Sequence, residues 1–390
     1  MKFTIKKKEI VEVLGKLQGI TGKKTNLAIT ENLLITAKNE SEVSIIATDL
    51  ETGFQGFYPA EVYDTGKIAI NSKKLYEILK DFPDDEILIN EVENRYIEIL
   101  SHDVQYHLLI MDSDNFPEFP DIDDTDFLEI DSVYFKKMIT STVYIQPPTE
   151  GKGAHLTGVY LEISKSKKQP GIRLVATDIK RLSKIDLLLE KETRIPFDKN
   201  MLIPKKSLNE ISKFLEDEAT VKIGRNRNNF IIKKEKEIFI ICLLEGDFPD
   251  YHDIFKSIDR KNFFVINRHQ LFSTIKRMSI LSSEKFKSLL FNFSKGLMIV
   301  SNKNPEMGES TEKIPLDYDG KDIEVLFNPK YIMDSLNIIE TPNVKIFIKH
   351  QKSPCLIEEE NDEAFSSLIM PIKMQEDDNV QKQQEQEVQE

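Results

Sequence analysis

Apolar residues recur at Ile10, Val13, Leu14 and Leu17, the i, i+3, i+4, i+7 spacing of one helix face. They predict an amphipathic helix over 6–18. The same spacing returns at Leu75, Ile78, Leu79 and Phe82, at Phe135, Met138 and Ile139, at Leu208, Ile211 and Leu215, and at Leu271, Ile275 and Met278. These predict helices over 72–82, 131–143, 205–215 and 267–278. A sixth helix, over 328–337, is led by Phe327-Asn328-Pro329. Short β-rich runs predict strands near 32–37 and 43–48, then 86–90, 95–101 and 105–111. Further strands are expected at 220–224, 229–234 and 237–244, and at 343–349, 354–359 and 365–372.

This order repeats. A strand ends in Ala47-Thr48-Asp49 and another in Val175-Ala176-Thr177-Asp178, with a weaker echo at Val300-Ser301-Asn302-Lys303-Asn304. Asp49 and Asp178 are 129 residues apart, and Asp178 and Asn304 are 126 apart. The second-helix positions Leu75, Leu208 and Ile332 keep the same phase, as do Phe116-Pro117 and Phe248-Pro249. A period of this length is that of a whole domain, so one domain is expected three times, at 1–122, 123–255 and 256–374. Linkers are expected at 121–131 and 256–262. Each copy holds about two helices packed on mostly antiparallel sheets, an α+β arrangement. Residues 375–390 are polar and read as a disordered tail, acidic and Gln-rich.

With 390 residues the chain is too long for one core, and 40% hydrophobic content is ample for several. No apolar run reaches the length of a membrane span, and the N-terminus lacks the apolar stretch of a signal peptide. Cys242 and Cys355 are far apart and neither belongs to a CxxC. That points to a reducing compartment, the cytoplasm, and away from disulfides or zinc.

Catalytic chemistry is hard to find. Gly22-Lys23-Lys24-Thr25 resembles part of a phosphate loop, but only two residues separate Gly19 from Gly22, where four are needed. The six histidines show no metalloprotease spacing, and neither a cofactor nor a metal is expected. Asp49 and Asp178 are the one candidate carboxylate pair. An Asp after a strand is usually a turn residue bonding its own backbone, and its replacement by Asn304 in the third copy fits that reading. A DNA-acting enzyme using these carboxylates, or a repeat scaffold that forms no ring, are the alternatives.

The net charge of −13 discourages a nucleic-acid partner until it is divided. The six predicted helices carry +9 and the rest of the chain −22. Helices that are all neutral or basic would form a cationic surface able to follow a phosphate backbone without reading sequence. Its cations would be Lys73, Lys74, Lys136, Lys137, Lys205, Lys206, Lys276 and Arg277.

Over residues 1–374 the chain resembles the bacterial sliding clamps, the β subunits of DNA polymerase III. The likeness rests on Met1-Lys2-Phe3-Thr4, Ala47-Thr48-Asp49-Leu50-Glu51, Leu174-Val175-Ala176-Thr177-Asp178 with Arg181-Leu182, and Phe248-Pro249-Asp250-Tyr251. It continues through Ile280-Leu281-Ser282-Ser283-Glu284-Lys285-Phe286, Asn304-Pro305-Glu306 and Met370-Pro371. The resemblance implies a non-enzymatic ring, closed head to tail as a homodimer around duplex DNA, with helices inside. It implies a joint of Tyr106 and Leu108 against Ile280 and Leu281. It also implies a pocket for short motifs of the polymerase III α subunit, the clamp loader δ subunit and other partners. That pocket would comprise Leu156, Thr177, Arg181, Leu182, Pro249 and Ile254 with Leu368, Ile369, Met370, Pro371 and Met374, and Arg181-Leu182 would form its rim. Lys24 and Lys152 would add DNA contacts. The chain departs from the family where Ile179-Lys180 replaces a usual Gly-His, and where Lys152-Gly153-Ala154-His155 replaces a more basic, aromatic loop.

Overall fold

The computed structural model describes residues 1–22, 27–93, 95–100, 104–147, 153–166, 169–215, 219–282 and 287–373. Lys24, Lys152, Met374 and the 375–390 tail lie outside the described residues.

The first pass of the chain runs β1 (Lys2–Lys6), α1 (Lys7–Thr21), β2 (Asn32–Ala37), β3 (Glu42–Thr48), β4 (Thr52–Pro59), β5 (Glu61–Asp64) and β6 (Gly66–Asn71). It continues through α2 (Ser72–Lys80), β7 (Glu86–Val92), β8 (Tyr96–Leu100) and β9 (Gln105–Met111). The second runs β10 (Phe127–Asp131), α3 (Ser132–Val143), the single turn α4 (Ala154–Thr157), β11 (Gly158–Ser166), β12 (Gln169–Thr177), β13 (Arg181–Leu188) and β14 (Met201–Pro204). It closes with α5 (Lys205–Ser212), β15 (Thr220–Asn226), β16 (Asn229–Lys234) and β17 (Glu237–Cys242). A short α6 (His252–Lys256) leads into the third pass. This runs β18 (Phe263–Asn267), α7 (Arg268–Met278), β19 (Leu289–Ser294), β20 (Leu297–Asn304), β21 (Gly308–Pro315) and β22 (Ile323–Phe327). Then come α8 (Pro329–Ile338), β23 (Asn343–Phe347), β24 (Cys355–Glu359) and β25 (Phe365–Ile369). Each pass is strand, helix, several strands, helix, three strands. All six predicted helices are present, and they pack in three pairs: α1 on α2, α3 on α5, α7 on α8.

The strands that open each pass go beyond the sequence-based expectation. Residues 127–131, expected in a linker, form β10, because Leu128 and Ile130 alternate with acidic residues and both are buried. Four acids in residues 121–126 mask that short alternation. Helix starts are set by side chains. Asn71, Asn267 and Asn328 each accept a hydrogen bond from a backbone N–H in the first turn of α2, α7 and α8, satisfying a donor the helix leaves open.

The chain divides into two compact units. One comprises Met1–Val143, Thr157–Leu174 and Leu188–Asp247; the other comprises Tyr144–Leu156, Val175–Leu187 and Phe248 onward. In the first unit a thirteen-stranded sheet runs β10-β15-β16-β17-β4-β3-β2-β6-β9-β8-β7-β1-β5. The first two passes are thus fused through the β17–β4 ladder, from Glu237 opposite Gly56 to Ile241 opposite Thr52. Beneath it Phe54, Phe214 and Phe239 pack with ring centroids 4.8–5.3 Å apart. All three are essentially fully buried, and each contributes on the order of 2–3 kcal/mol by leaving water. In the second unit one antiparallel sheet runs β13-β25-β24-β23-β18 and another runs β21-β20-β19-β22. Phe264, Phe293 and Tyr318 cluster there.

Candidate functional site

The repeated Thr-Asp pair closes a turn. Thr48 Oγ1 accepts from Leu50 N at 3.0 Å, and Thr177 Oγ1 accepts from Ile179 N at 3.0 Å. Asp49 Oδ1 accepts from the backbone N–H groups of Glu51 and Thr52. Asp178 Oδ1 accepts from those of Lys180 and Arg181. Asn304 Oδ1 makes the same kind of bond to Glu306 N. Leu50 and Ile179 occupy matching left-handed conformations, with φ of 74° and 76°. Each repeated carboxylate therefore holds its own backbone, as an Asx turn does. Among the described residues no group of three or more His, Cys, Asp or Glu is placed to hold a metal ion.

The copy at 177–182 departs from the others just past the turn. Arg181 Nε donates to Asp178 Oδ2 at 2.9 Å, and Nη1 donates to Asp334 Oδ2 at 2.7 Å. Its guanidinium lies 4.3 Å from the Tyr331 ring centroid and 5.5 Å from that of Tyr144. Burial pulls its pKa down, but the Asp334 and Asp178 carboxylates outweigh burial and hold it above the ordinary arginine value. Arg181 is 4% exposed, which corrects the expectation of a rim cation. It is an internal strut joining the 177–181 turn to α8. Burying a guanidinium is tolerable only with partners of this kind.

Leu182 sits on β13 directly opposite Leu368 of β25, and Arg181 sits opposite Ile369. Met370 N donates to the Lys180 carbonyl at 2.9 Å, which continues the ladder past the strand end. Thr177 Oγ1 donates to the Arg181 carbonyl. The structure thus brings Thr177, Arg181, Leu182, Leu368, Ile369 and Met370 together. Leu156, Thr177, Leu182, Leu368 and Ile369 are buried in the free chain and offer no open surface. The accessible apolar groups of the expected set are Ile254 at 38%, Met370 at 37%, and exposed Pro249. Pro371 is half-buried. α6, which carries Ile254, approaches β13 where Lys184 Nζ lies 5.4 Å from the Phe255 ring centroid.

Sequence reasoning missed Tyr331 and Asp334, which α8 presents to Arg181. They are three residues apart in YIMD, a spacing that places them on neighbouring positions of one helix face. Beside them opens a cavity of about 630 Å³ whose lining includes Lys180, Arg181, Lys287, Lys330, Tyr331 and Met333.

The cationic helices are more selective than their charge implied. Lys206 and Lys276 are exposed, with no ion-pair partner among the described residues. Lys73 and Lys74 are exposed, and both reach Glu77. The Lys74 hydrogen bond is the main cause that holds the Glu77 carboxyl below its usual range. Arg277 Nε donates to Glu312 Oε2 at 3.0 Å. Lys136 and Lys137 are half-buried. Lys205 is 7% exposed, which corrects its assignment as a DNA contact. It is the first residue of α5 and is buried, and its neighbour Lys206 is exposed.

Tyr106 and Leu108 lie on β9, paired to Ile99 and Ile97 of β8. On its other side β9 pairs with β6 only at Ile110 and Met111. Among the described residues, 105–109 therefore carry an open edge lined by partly exposed Tyr106 and Leu109. Ile280, 72% exposed, sits in the 3-10 turn Ser279–Leu281 after α7. β21 forms one edge of the four-stranded sheet.

Three family models match the chain in order. The DNA polymerase III beta subunit N-terminal domain matches residues 1–120, the central domain 129–250, and the C-terminal domain 258–373. A beta sliding clamp of Bacillus subtilis is 29% identical over 96% of this chain and all of its own length. One of Chlamydia pneumoniae is 27% identical over 97% of this chain and all of its own. The crystal structure of the Bacillus subtilis DNA polymerase sliding clamp superposes with a TM-score of 0.88 at 26% identity, covering 96% of this chain and 99% of that one. A Pseudomonas aeruginosa DNA polymerase III subunit beta bound to griselimycin gives 0.87 at 25% identity, over 96% and 100%.

Proposed function

This chain belongs to the DNA polymerase III beta subunit family, the bacterial sliding clamps, and from that premise we propose that two copies close head to tail into a ring around duplex DNA. The ring is a processivity factor and not an enzyme. The carrying observation is the threefold series of family domains, each supplying a pair of helices, in a chain whose long helices are cationic against an acidic remainder. Domain limits of 1–122, 123–255 and 256–374 follow the same series. The protein works in the cytoplasm.

Retention on DNA would come from topology. A closed ring cannot leave sideways, so contacts to the duplex need only be weak. Exposed Lys206 and Lys276 would meet phosphates without reading bases, and such contacts exchange as the ring slides. The joint would pair the open edge at 105–109, with Tyr106 and Leu108, against Ile280 and Leu281 of the partner. Pairing an open strand edge also removes an aggregation hazard. The Arg181–Asp334 strut would fix a docking site at Ile254, Met370 and Pro249, over a floor of Leu156, Leu182, Leu368 and Ile369. There the polymerase III α subunit, the clamp loader δ subunit and other partners would insert short motifs. Met and aliphatic side chains adapt to several peptides.

The test is to load the protein on a nicked circular plasmid with its loader and then to linearise the plasmid. A ring persists on the circle and slides off the linear form. Retention on both would refute encirclement. Metal-dependent turnover of the DNA would favour an enzyme.

A further inference from the structure

The cavity beside Arg181 is cationic, and nothing in the docking of an apolar motif requires that. Lys180, Lys287 and Lys330 line it. All three are exposed, and none has a carboxylate partner among the described residues. The two carboxylates nearby, Asp178 and Asp334, are already committed to Arg181. Three ammonium groups around a hollow of about 630 Å³ repel one another and are eased by an anionic occupant.

The end of the described chain runs past this cavity. Met370 N is bonded to the carbonyl of Lys180, and Ile372 pairs with Leu326, two residues before Asn328 on the cavity wall. Residues 374–390 come next, with six acids and one Lys. Glu376, Asp377 and Asp378 lie three to five residues beyond Lys373, a reach of roughly 10–18 Å for extended chain. We propose that this Glu-Asp-Asp segment folds back into the Lys180–Lys287–Lys330 cavity as a tethered occupant of the docking region. The tether supplies an effective concentration on the order of millimolar, so a weak, salt-sensitive contact suffices. An incoming partner with acidic residues would have to displace it.

The contact is tested on the full chain without any partner. Carbodiimide coupling followed by peptide mass spectrometry should join 376–378 to Lys180, Lys287 or Lys330, and high salt should suppress the products. Coupling of 376–378 to other exposed lysines at equal yield would overturn the proposal. A second measurement uses the full chain carrying Glu376→Gln, Asp377→Asn and Asp378→Asn. A labelled synthetic peptide of residues 374–390 should bind it, and Lys180→Glu with Lys287→Glu and Lys330→Glu should weaken that binding roughly five- to tenfold. Equal binding to the charge-reversed chain overturns the proposal. So does a cavity that takes acidic peptides from replication proteins while ignoring the tail peptide. Because neither readout involves DNA or a ring, failure here leaves the sliding-clamp reading standing.

Discussion

Ile179 shows how one residue can be out of place locally and still be accommodated. It is β-branched, 70% exposed, and held at φ 76° by a turn closed through Thr177 and Asp178. A left-handed backbone costs a branched residue on the order of 1–2 kcal/mol, and glycine gives back part of that in chain entropy. Ile179→Gly should therefore raise stability by up to about 1 kcal/mol, read as a higher denaturant midpoint at unchanged slope. A drop would mean that the side chain makes contacts outweighing the strain. Glu237 makes a second residue-scale case. Burial raises its carboxyl pKa above the ordinary 4.5, while the hydrogen bond from Tyr58 at 2.9 Å only partly offsets this. The folded chain thus holds that proton more tightly than the unfolded one. The associated stability is complete below pH 4.5 and is lost as pH rises through the folded pKa. Glu237→Gln should remove this loss, so the variant gains on the parent as pH rises above 4.5 in thermal melts. A constant difference across that range would contradict it. The turn role of Asp49 and Asp178 was legible in the sequence because an Asx turn is local. The burial of Arg181 was not, because Asp334 and Tyr331 arrive from about 150 residues away.

Among elements, the helices were readable and the sheet edges were not. Periodic apolar spacing located five of the six long helices to within a few residues at each end, and Phe327-Asn328-Pro329 located the sixth, since each helix buries one stripe. Strand order carries no such signature. The fusion of two passes through β17 and β4, and the exposed half of β9, arise from pairing between distant segments. The proposed joint is tested at this scale. Ile280→Arg with Leu281→Asp places charge in an apolar contact and should give monomers in sedimentation, with the helical signal unchanged. Dimers persisting in that variant would place the joint elsewhere. Such a change costs little in the isolated chain, because Ile280 is already exposed.

For the whole molecule, the instructive quantity is where charge lies and not its sum. A chain of −13 would be set aside as a DNA partner, yet its long helices carry +9. Lys205 is buried, and Lys73, Lys74 and Arg277 are paired, so among the described residues of the expected set Lys206 and Lys276 are the exposed cations with no ion-pair partner. Lys206→Ala with Lys276→Ala should reduce the salt dependence of DNA association. The log–log slope should become shallower by roughly 0.9 for each phosphate that is no longer neutralised. Survival on circular plasmid after loading should change little, because topology and not affinity retains a ring. A variant that slips from the circle as fast as from linear DNA would tie retention to these lysines.

The open half of β9 has a consequence for how such a molecule is made. Among the described residues every chain carries an unfinished edge at 105–109, and if the ring closes as proposed, each also brings the surface that completes it in another copy. Supply and demand for the two surfaces are then matched at any level of expression, and no second gene product must be titrated against the first. Two chains satisfy each other fully, and a third finds nothing left to join. In the proposed ring assembly would stop by itself at a closed pair, and a chain caught alone would remain adhesive until it met its like.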